Sequence, residues 1–220
     1  MGEWIELEDG SRAYRGAPSN GQGSGILLLH AWWGLNDTVR SFVDALGEAG
    51  FVVIAPDLYR GVVVDTIEDA ERQSEAQSVV VRMRTVSAAL TRLRGEPGVT
   101  ASSLGVVGFS MGAFYALEAT GDDPSIVATV LVYGTGRDRD WSSSNASFQG
   151  HFAENDPYES ADTVAALEAS LRGGGRRTEF HTYPGTGHWF MEPDRADAFD
   201  ERAAALAWGR MLAFLRAEVD

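Results

Sequence analysis

The sequence predicts a single α/β domain over residues 1–220, in which a mostly parallel central sheet is flanked by helices on both faces. One observation is that short apolar runs, typical of buried strands, alternate with segments in which apolar residues recur at helical spacing. Another is size, because 220 residues with a hydrophobic content of 44% suffice for one full core.

The first half of the chain is predicted to start with a β-hairpin, whose turn is Asp9-Gly10. A helix is predicted after Asn36 and Asp37, because both residue types cap helix N-termini. The elements predicted here are hairpin strands over 4–7 and 12–15, a strand over 26–30, a helix from 36–37 to about 47–50, and a strand over 51–57.

The second half continues the alternation of helices and strands, and glycine or proline residues separate the elements. The predicted elements are a long helical segment from about 66 to 93, a strand over 105–109 with a helix after it, strands over 126–133 and 147–153, a helix over about 160–171, a strand over 177–183, and a helix over 197–217. The longest irregular insertion, 134–146, is too short for a separate cap domain.

The most specific motif is Gly108-Phe109-Ser110-Met111-Gly112, which lies between an apolar run and a helix-forming run. This G-x-S-x-G pattern is typical of a nucleophile elbow, a sharp strand-to-helix turn that exposes a serine hydroxyl. The alternative is an ordinary tight turn between a strand and a helix. The strand before and the helix after favour Ser110 as a nucleophile.

A serine hydroxyl needs a base within hydrogen-bond distance to attack a carbonyl carbon at neutral pH. His188 is the best candidate among four histidines, because it follows a predicted strand and the glycine-bearing turn 184–187. His30, His151 and His181 lie within or at the ends of strands, where a structural role is expected.

The acid that orients the histidine should follow a strand between Ser110 and His188 in the chain. Asp156 meets this condition, and Pro157 stiffens its turn. The competing acids are Glu154 and Glu159 in the same loop, and Asp138 and Asp140 one strand earlier.

An oxyanion hole requires two backbone N–H donors, one of which follows the nucleophile. The predicted donors are therefore Met111 and, in the loop after the 26–30 strand, Trp32. Trp33 and Trp189 also lie in loops at the predicted active face, where they either contact the substrate or pack beneath the loops.

Composition excludes several classes of function. The formal net charge is −14, which disfavours binding to nucleic acid or to an anionic membrane. The chain has no cysteine, which excludes disulfides and thiolate metal sites, and all 18 basic residues are arginine, which excludes lysine Schiff bases. Neither a signal peptide nor a membrane-spanning run is apparent, so a cytoplasmic location is expected.

The chain resembles the dienelactone hydrolase family of the α/β-hydrolases over nearly its whole length. The matching segments are 26–36, 50–59, 105–112, Asn155-Asp156 and 187–190, and Ala55-Pro56-Asp57-Leu58-Tyr59 is the most family-specific of the sequences. The resemblance implies an α/β-hydrolase fold. It also implies a triad at Ser110, Asp156 and His188, with oxyanion donors at Trp32 and Met111.

The chain departs from the founding members of that family at three positions. The founding members carry a cysteine where Ser110 stands and a glutamate where Ala31 stands. The two changes are consistent with each other, because the glutamate controls the proton of the cysteine thiol, whereas a serine relies on the histidine during attack. Members that act on dienelactone hold its carboxylate with an arginine, and Glu192 stands near that place here. Activity on dienelactone itself is therefore not expected.

The sequence thus predicts a serine hydrolase that cleaves small ester or lactone substrates without a metal or other cofactor. A monomer or small homo-oligomer is expected. One alternative is a thioesterase or amidase with the same triad. Another is a non-catalytic ligand-binding protein, because a fold does not determine a function.

Overall fold

The computed structural model describes residues 2–219 and contains the alternating strands and helices of the predicted α/β fold class in a mostly parallel sheet. The elements are β1 (Glu3–Glu6), β2 (Arg12–Gly16), β3 (Gly23–Leu29), α1 (Asp37–Glu48), β4 (Val52–Pro56), α2 (Ile67–Glu75), α3 (Val79–Arg94), β5 (Val99–Phe109), α4 (Met111–Asp122), β6 (Ile126–Val132), β7 (Ser147–Asn155), α5 (Ala161–Gly173), β8 (Thr178–Gly187) and α6 (Glu201–Val219). None of these helices is long and apolar enough to cross a bilayer.

The chain groups into two compact units, residues 1–104 and 105–220, and strand β5 runs across the boundary. In the first unit the strand order is β1-β2-β4-β3. Antiparallel pairing of β1 with β2 confirms the predicted hairpin, and β3 pairs with β4 in parallel. Strand β4 is buried along its whole length, as expected of an apolar run covered on both faces. The prediction of a single domain over 1–220 stays a prediction.

Helix α1 begins where the sequence predicts, because the side chain of Asn36 accepts a hydrogen bond from the Val39 N–H at 3.0 Å. Strands β3 and β5 begin earlier than the apolar runs that predict them. Gly25 of β3 already pairs with Val52 of β4. Ladder hydrogen bonds use backbone groups alone, so a strand can extend beyond its apolar run.

The expectation of a long helical segment from 66 to 93 is corrected to two helices, α2 and α3. Ser78 caps α3, since its side chain accepts a hydrogen bond from the Val81 N–H. The buried Arg82 guanidinium donates to the carbonyl oxygens of Gln73 and Ser74 at 3.0 and 2.8 Å. Carbonyls at the end of α2 thereby find partners without continuation of the helix.

In the second unit the strand order is β5-β6-β7-β8. The strands β6, β7 and β8 pair in parallel, with Val132 opposite His151 and His151 opposite His181. Strand β8 continues through the predicted turn at 184–187, and after an irregularity Asn155 pairs with Gly187. Helix α6 starts four residues later than predicted, where Asp200 accepts a hydrogen bond from the Ala203 N–H at 2.8 Å.

Candidate active site

Ser110 lies in the sharp turn between β5 and α4, with φ 50° and ψ −115°. Its N–H donates to the Val132 carbonyl of β6 at 2.8 Å, and its carbonyl accepts from the Ala113 N–H at 2.8 Å. A positive φ is unusual for a residue other than glycine, and such strain is concentrated at functional sites. The backbone therefore has the conformation expected of the nucleophile elbow.

Glycines allow this turn to close. A Cβ atom on Gly108 would lie 2.4 Å from the Gly112 carbonyl oxygen, and one on Gly134 would lie 2.4 Å from the Ser110 carbonyl oxygen. Both distances are too short for any side chain. The G-x-S-x-G spacing thus has a steric cause here.

His188 and Asp156 come together because β7 and β8 are neighbours. Asn155, at the end of β7, pairs with Gly187, at the end of β8. The next residue of each strand is therefore held beside its counterpart at the carboxyl edge of the sheet. Ser110 and His188 are 78 positions apart in the chain, yet these pairings and the elbow bring the three side chains together.

The three predicted side chains form one hydrogen-bonded chain. The Ser110 Oγ lies 2.9 Å from the His188 Nε2, and the His188 Nδ1 lies 2.7 and 2.9 Å from the two oxygens of Asp156. The imidazole and the carboxylate are both almost fully buried. Burial strengthens their interaction, because water does not screen it.

Backbone donors hold the Asp156 carboxylate in place. Its Oδ1 accepts hydrogen bonds from the N–H groups of Tyr158 and Glu159, at 2.9 and 3.1 Å. Glu159 in turn accepts from the Thr135 N–H and hydroxyl at 3.0 and 2.7 Å, and burial raises the pKa of Glu159. Of the two acids, the one bonded to the imidazole is Asp156, as the sequence predicts.

Aromatic side chains surround His188. The ring centroids of Tyr133, Tyr158 and Trp189 lie 5.0, 4.9 and 5.0 Å from the imidazole centroid. Trp189 was among the predicted pocket residues, whereas Tyr133 and Tyr158 were not. Tyr158 is 45% exposed and also contacts Trp189, at 5.4 Å, so it forms an outer wall over the histidine.

Glu192 lies behind this aromatic layer and is 2% exposed. It accepts a hydrogen bond from the Tyr133 hydroxyl at 2.7 Å. Burial, reinforced by the nearby Asp194, raises the pKa of Glu192 to about 8, against the opposing effects of the Tyr133 hydrogen bond and Arg195. Glu192 is therefore mostly protonated at neutral pH.

The other histidines have structural partners. His151 bonds to the Tyr183 hydroxyl at 2.7 Å and to the Gln149 side chain at 3.0 Å. His181 bonds to Glu179 at 2.9 Å. In the first unit, the His30 Nε2 accepts from the Leu58 N–H at 3.1 Å and its Nδ1 lies 2.6 Å from the Ala31 carbonyl. These contacts agree with the structural role expected of all three.

The predicted tryptophans of the first unit lie in the loop after β3. Trp33 is 2% exposed, its carbonyl accepts from the Val64 N–H at 3.1 Å, and its ring meets that of Trp32 edge to face at 5.5 Å. This burial favours the packing alternative for Trp33. The expectation that Trp32 donates to an oxyanion stays a prediction.

Tyr133, Tyr158 and Glu192 are the site residues that sequence reasoning missed, although Glu192 was noted as a departure. Tyr133 directly follows β6, and Tyr158 follows Asp156 by two residues. Their positions after strand ends could have indicated them. Among residues 2–219, no three His, Asp or Glu side chains are grouped closely enough to hold a metal ion.

Comparisons with known proteins identify relatives over nearly the full length. The model of the dienelactone hydrolase family matches residues 11–219. The chain is 28% identical over 229 residues to Protein usf of Aquifex pyrophilus, covering 98% of both chains. It is 25% identical over 215 residues to carboxymethylenebutenolidase 1 of Cupriavidus pinatubonensis, covering 92% of this chain and 90% of that protein.

The fold also matches a solved structure, that of a dienelactone hydrolase-like promiscuous phosphotriesterase from metagenomic libraries. The TM-score is 0.89 at 20% identity, over 100% of this chain and 99% of that one. The predicted α/β-hydrolase fold without a separate cap is thereby confirmed. The chain belongs to the dienelactone hydrolase family and is a hydrolase that acts on ester bonds.

Proposed function

We propose that this member of the dienelactone hydrolase family is a serine hydrolase of uncharged esters or lactones. Ser110 is the nucleophile, His188 the general base and Asp156 the acid that orients it. The observation that carries the proposal is the continuous hydrogen-bonded chain from the Ser110 hydroxyl through His188 to Asp156.

The reaction has two halves, as in other serine hydrolases. The Ser110 Oγ attacks the substrate carbonyl carbon while its proton passes to the His188 Nε2, and a tetrahedral oxyanion forms. The carbonyl then re-forms, the bond to the alcohol oxygen breaks, and the imidazolium protonates the leaving alcohol. His188 then deprotonates a water molecule, which attacks the acyl carbon. The bond from the acyl carbon to the Ser110 Oγ breaks, the imidazolium returns the proton to that Oγ, and the carboxylic acid leaves.

The N–H group of Met111, at the N-terminus of α4, is the first proposed oxyanion donor. The positive end of the α4 dipole adds to this stabilisation. The N–H group of Trp32 is the second proposed donor, on the basis of its place after β3 in the chain. One such donor typically contributes about 3 kcal/mol to transition-state stability.

The preference for uncharged substrates has an electrostatic basis. Glu192 follows His188 by four residues and stands near the place where, by the family resemblance, members that act on dienelactone have an arginine. The site also contains the carboxyl groups of Asp156 and Glu159, and the formal net charge of the chain is −14. A substrate carboxylate would meet repulsion with no opposite charge supplied at that position.

Three further predictions accompany this proposal: a cytoplasmic location, a monomeric or small homo-oligomeric state, and turnover without a metal or other cofactor. The small ester or lactone substrate and water are the only partners that the proposed reaction requires.

Replacement of the nucleophile tests the proposal. We expect Ser110→Ala to lower kcat/KM for a short-chain p-nitrophenyl ester by at least about 10⁴-fold, because no other group can form the acyl-enzyme. The matched control is Ser102→Ala, which removes an exposed serine hydroxyl from the same strand, β5, and should leave the rate unchanged.

A fluorophosphonate probe separates the enzyme from a non-catalytic binding protein. The wild type should gain one covalent adduct at Ser110, and Ser110→Ala should gain none. An unlabelled wild type, or a Ser110→Ala variant that retains activity, would disprove the assignment. Circular dichroism of both variants shows whether the fold is intact.

A further inference from the structure

Within the described part of the second unit, residues 105–219, three residues have positive φ without being glycine: Ser110 at 50°, Tyr133 at 37° and Trp189 at 67°. All three lie at the candidate site. The elbow accounts for Ser110, but no turn motif requires a tyrosine at position 133. Glycine would adopt this conformation without strain, so the strained tyrosine indicates a functional role for its side chain.

The Tyr133 ring is completely buried and packed against His188. Its centroid lies 5.0 Å from the imidazole, 5.5 Å from Phe190 and 6.1 Å from Phe109, the residue before the nucleophile. The Tyr133 N–H donates to the His151 carbonyl of β7 at 2.8 Å, which fixes the backbone. The ring therefore forms a rigid surface against the imidazole.

The Tyr133 hydroxyl is itself anchored by Glu192, at 2.7 Å. Burial, together with the proximity of Glu192, raises the pKa of Tyr133 well above its usual value, so this hydroxyl remains a donor throughout the working pH range. Neither residue has a role in the catalytic cycle proposed above. A buried acid without a role in that cycle calls for another explanation.

We propose that Tyr133 and Glu192 form a positioning pair, in which the Glu192 side chain holds the Tyr133 ring against His188 and so fixes the imidazole between Ser110 and Asp156. The inference rests on the proposed function of the triad. Neither member of the pair touches the reacting atoms. Their effect is on the orientation of the base, to which catalytic rates are sensitive.

This arrangement sets an alkaline limit to activity. The pKa of Glu192 is about 8, and above that pH the buried carboxyl ionises. The charged or titratable groups that act on it are Tyr133, Asp194 and Arg195, and beyond Tyr133 lie His188 and Asp156. A buried anion next to Asp194 must move or draw in water, which disturbs the Tyr133 ring.

Two conservative variants test the pair. Tyr133→Phe keeps the ring but removes its anchor, and we expect kcat to fall roughly tenfold with little change in KM. Glu192→Gln keeps a hydrogen-bond acceptor that cannot ionise. Its kcat at pH 7 should exceed that of Tyr133→Phe, and it should lack the decline in kcat/KM that we expect of the wild type above pH 8.

Controls separate positioning from general damage. Tyr183→Phe removes another buried tyrosine hydroxyl of the same unit, and Glu201→Gln makes the same change at an exposed glutamate. Both should keep the wild-type rate and pH profile. Rates at each pH are corrected with Ser110→Ala, which reports uncatalysed ester hydrolysis, and melting curves show whether each variant is folded.

Labelling by the fluorophosphonate probe makes the outcomes distinguishable. A wild type that is not labelled disproves the proposed function itself. If the wild type is labelled but Glu192→Gln retains the alkaline decline, the pairing proposal alone is wrong. It is also wrong if folded Tyr133→Phe has the wild-type kcat.

Discussion

His188 and His151 lie in the same unit and are both buried, at 4% and 0% exposure, but they differ in their partners. His188 lies between a serine hydroxyl and the carboxylate of Asp156. His151 lies between two neutral side chains, the Tyr183 hydroxyl and the Gln149 amide. Burial is common to both, so the partner decides whether an imidazole can accept a proton.

Burial lowers the pKa of His151 to about 3, and the nearby His181 and Arg210 contribute to this shift. A general base must become positively charged during the reaction, and the two hydrogen-bond partners of His151 carry no charge that would stabilise it. His188 has an anion within 2.7 Å of its Nδ1 for this purpose. The Asp156 carboxylate is therefore the feature that distinguishes the proposed base from the buried His151.

The largest expected effect comes from removing that anion. Asp156→Asn should lower kcat on the order of 10⁴-fold, because an amide neither stabilises the imidazolium nor fixes the required tautomer. Steady-state kinetics with a p-nitrophenyl ester measure the loss. Glu154→Gln is the matched control, since Glu154 lies in the same segment but bonds to the Gly185 N–H instead of His188.

A loss of less than tenfold in Asp156→Asn would contradict the comparison. Glu159 would then be the first candidate for the orienting acid, because it lies in the same loop and its pKa is sensitive to the charge on His188. If Glu159 takes over this role, the double variant Asp156→Asn with Glu159→Gln should have a lower kcat than Asp156→Asn alone.

The contrast also indicates how far the sequence could predict this site. Ser110 and His188 follow strands and carry local signals, an elbow motif for one and a preceding glycine-bearing segment for the other. Asp156 follows β7, but four other acids are also candidates in the sequence. The pairing of Asn155 with Gly187 is what places Asp156, and not another of these acids, beside His188. That pairing depends on a strand register which no local pattern specifies.

Residues that act through tertiary contacts could not be predicted in the same way. Tyr133 and Glu192 are 59 positions apart, and their hydrogen bond is a tertiary contact that no local sequence pattern specifies. The break between α2 and α3 was missed for a similar reason. Arg82 supplies donors to the Gln73 and Ser74 carbonyls from the following helix, and apolar periodicity does not report such contacts.

The acid side of the stability curve gives the second largest effect. The pKa of His151 is about 3 in the folded chain and near 6.5 when unfolded, so the unfolded chain binds more protons between these values. Stability conferred by neutral His151 is therefore complete above pH 6.5 and is lost as the pH falls toward 3. The loss amounts to several kcal/mol at most, at about 1.4 kcal/mol per pKa unit.

Urea unfolding between pH 7 and 4 measures this dependence. His151→Gln should be less stable at pH 7, yet its free energy of unfolding should fall less steeply with acidification than that of the wild type. His181→Gln is the control, because His181 is less buried and is paired with Glu179. Parallel curves for His151→Gln and the wild type would mean that His151 does not titrate as its surroundings indicate.

The smallest effect is expected from removal of the Tyr183 hydroxyl, which changes the free energy of unfolding. The Tyr183 hydroxyl bonds to His151, and Arg210 donates to its oxygen at 3.3 Å. Tyr183→Phe leaves the His151 Nδ1 without this partner, which should cost about 1–2 kcal/mol in the free energy of unfolding. Urea unfolding at pH 7 measures this loss.

The kcat of Tyr183→Phe should remain within twofold of the wild-type value, since His151 has no part in the proposed proton transfer. The same deletion at Tyr133 removes a bond to Glu192 beside the base, and there the main loss is in kcat. Removal of the Tyr183 hydroxyl is thus expected to lower stability, and removal of the Tyr133 hydroxyl is expected to lower kcat. A fall in kcat for Tyr183→Phe equal to that for Tyr133→Phe would show that the two histidine environments are coupled, for which the backbone bond from Tyr133 to His151 offers a route.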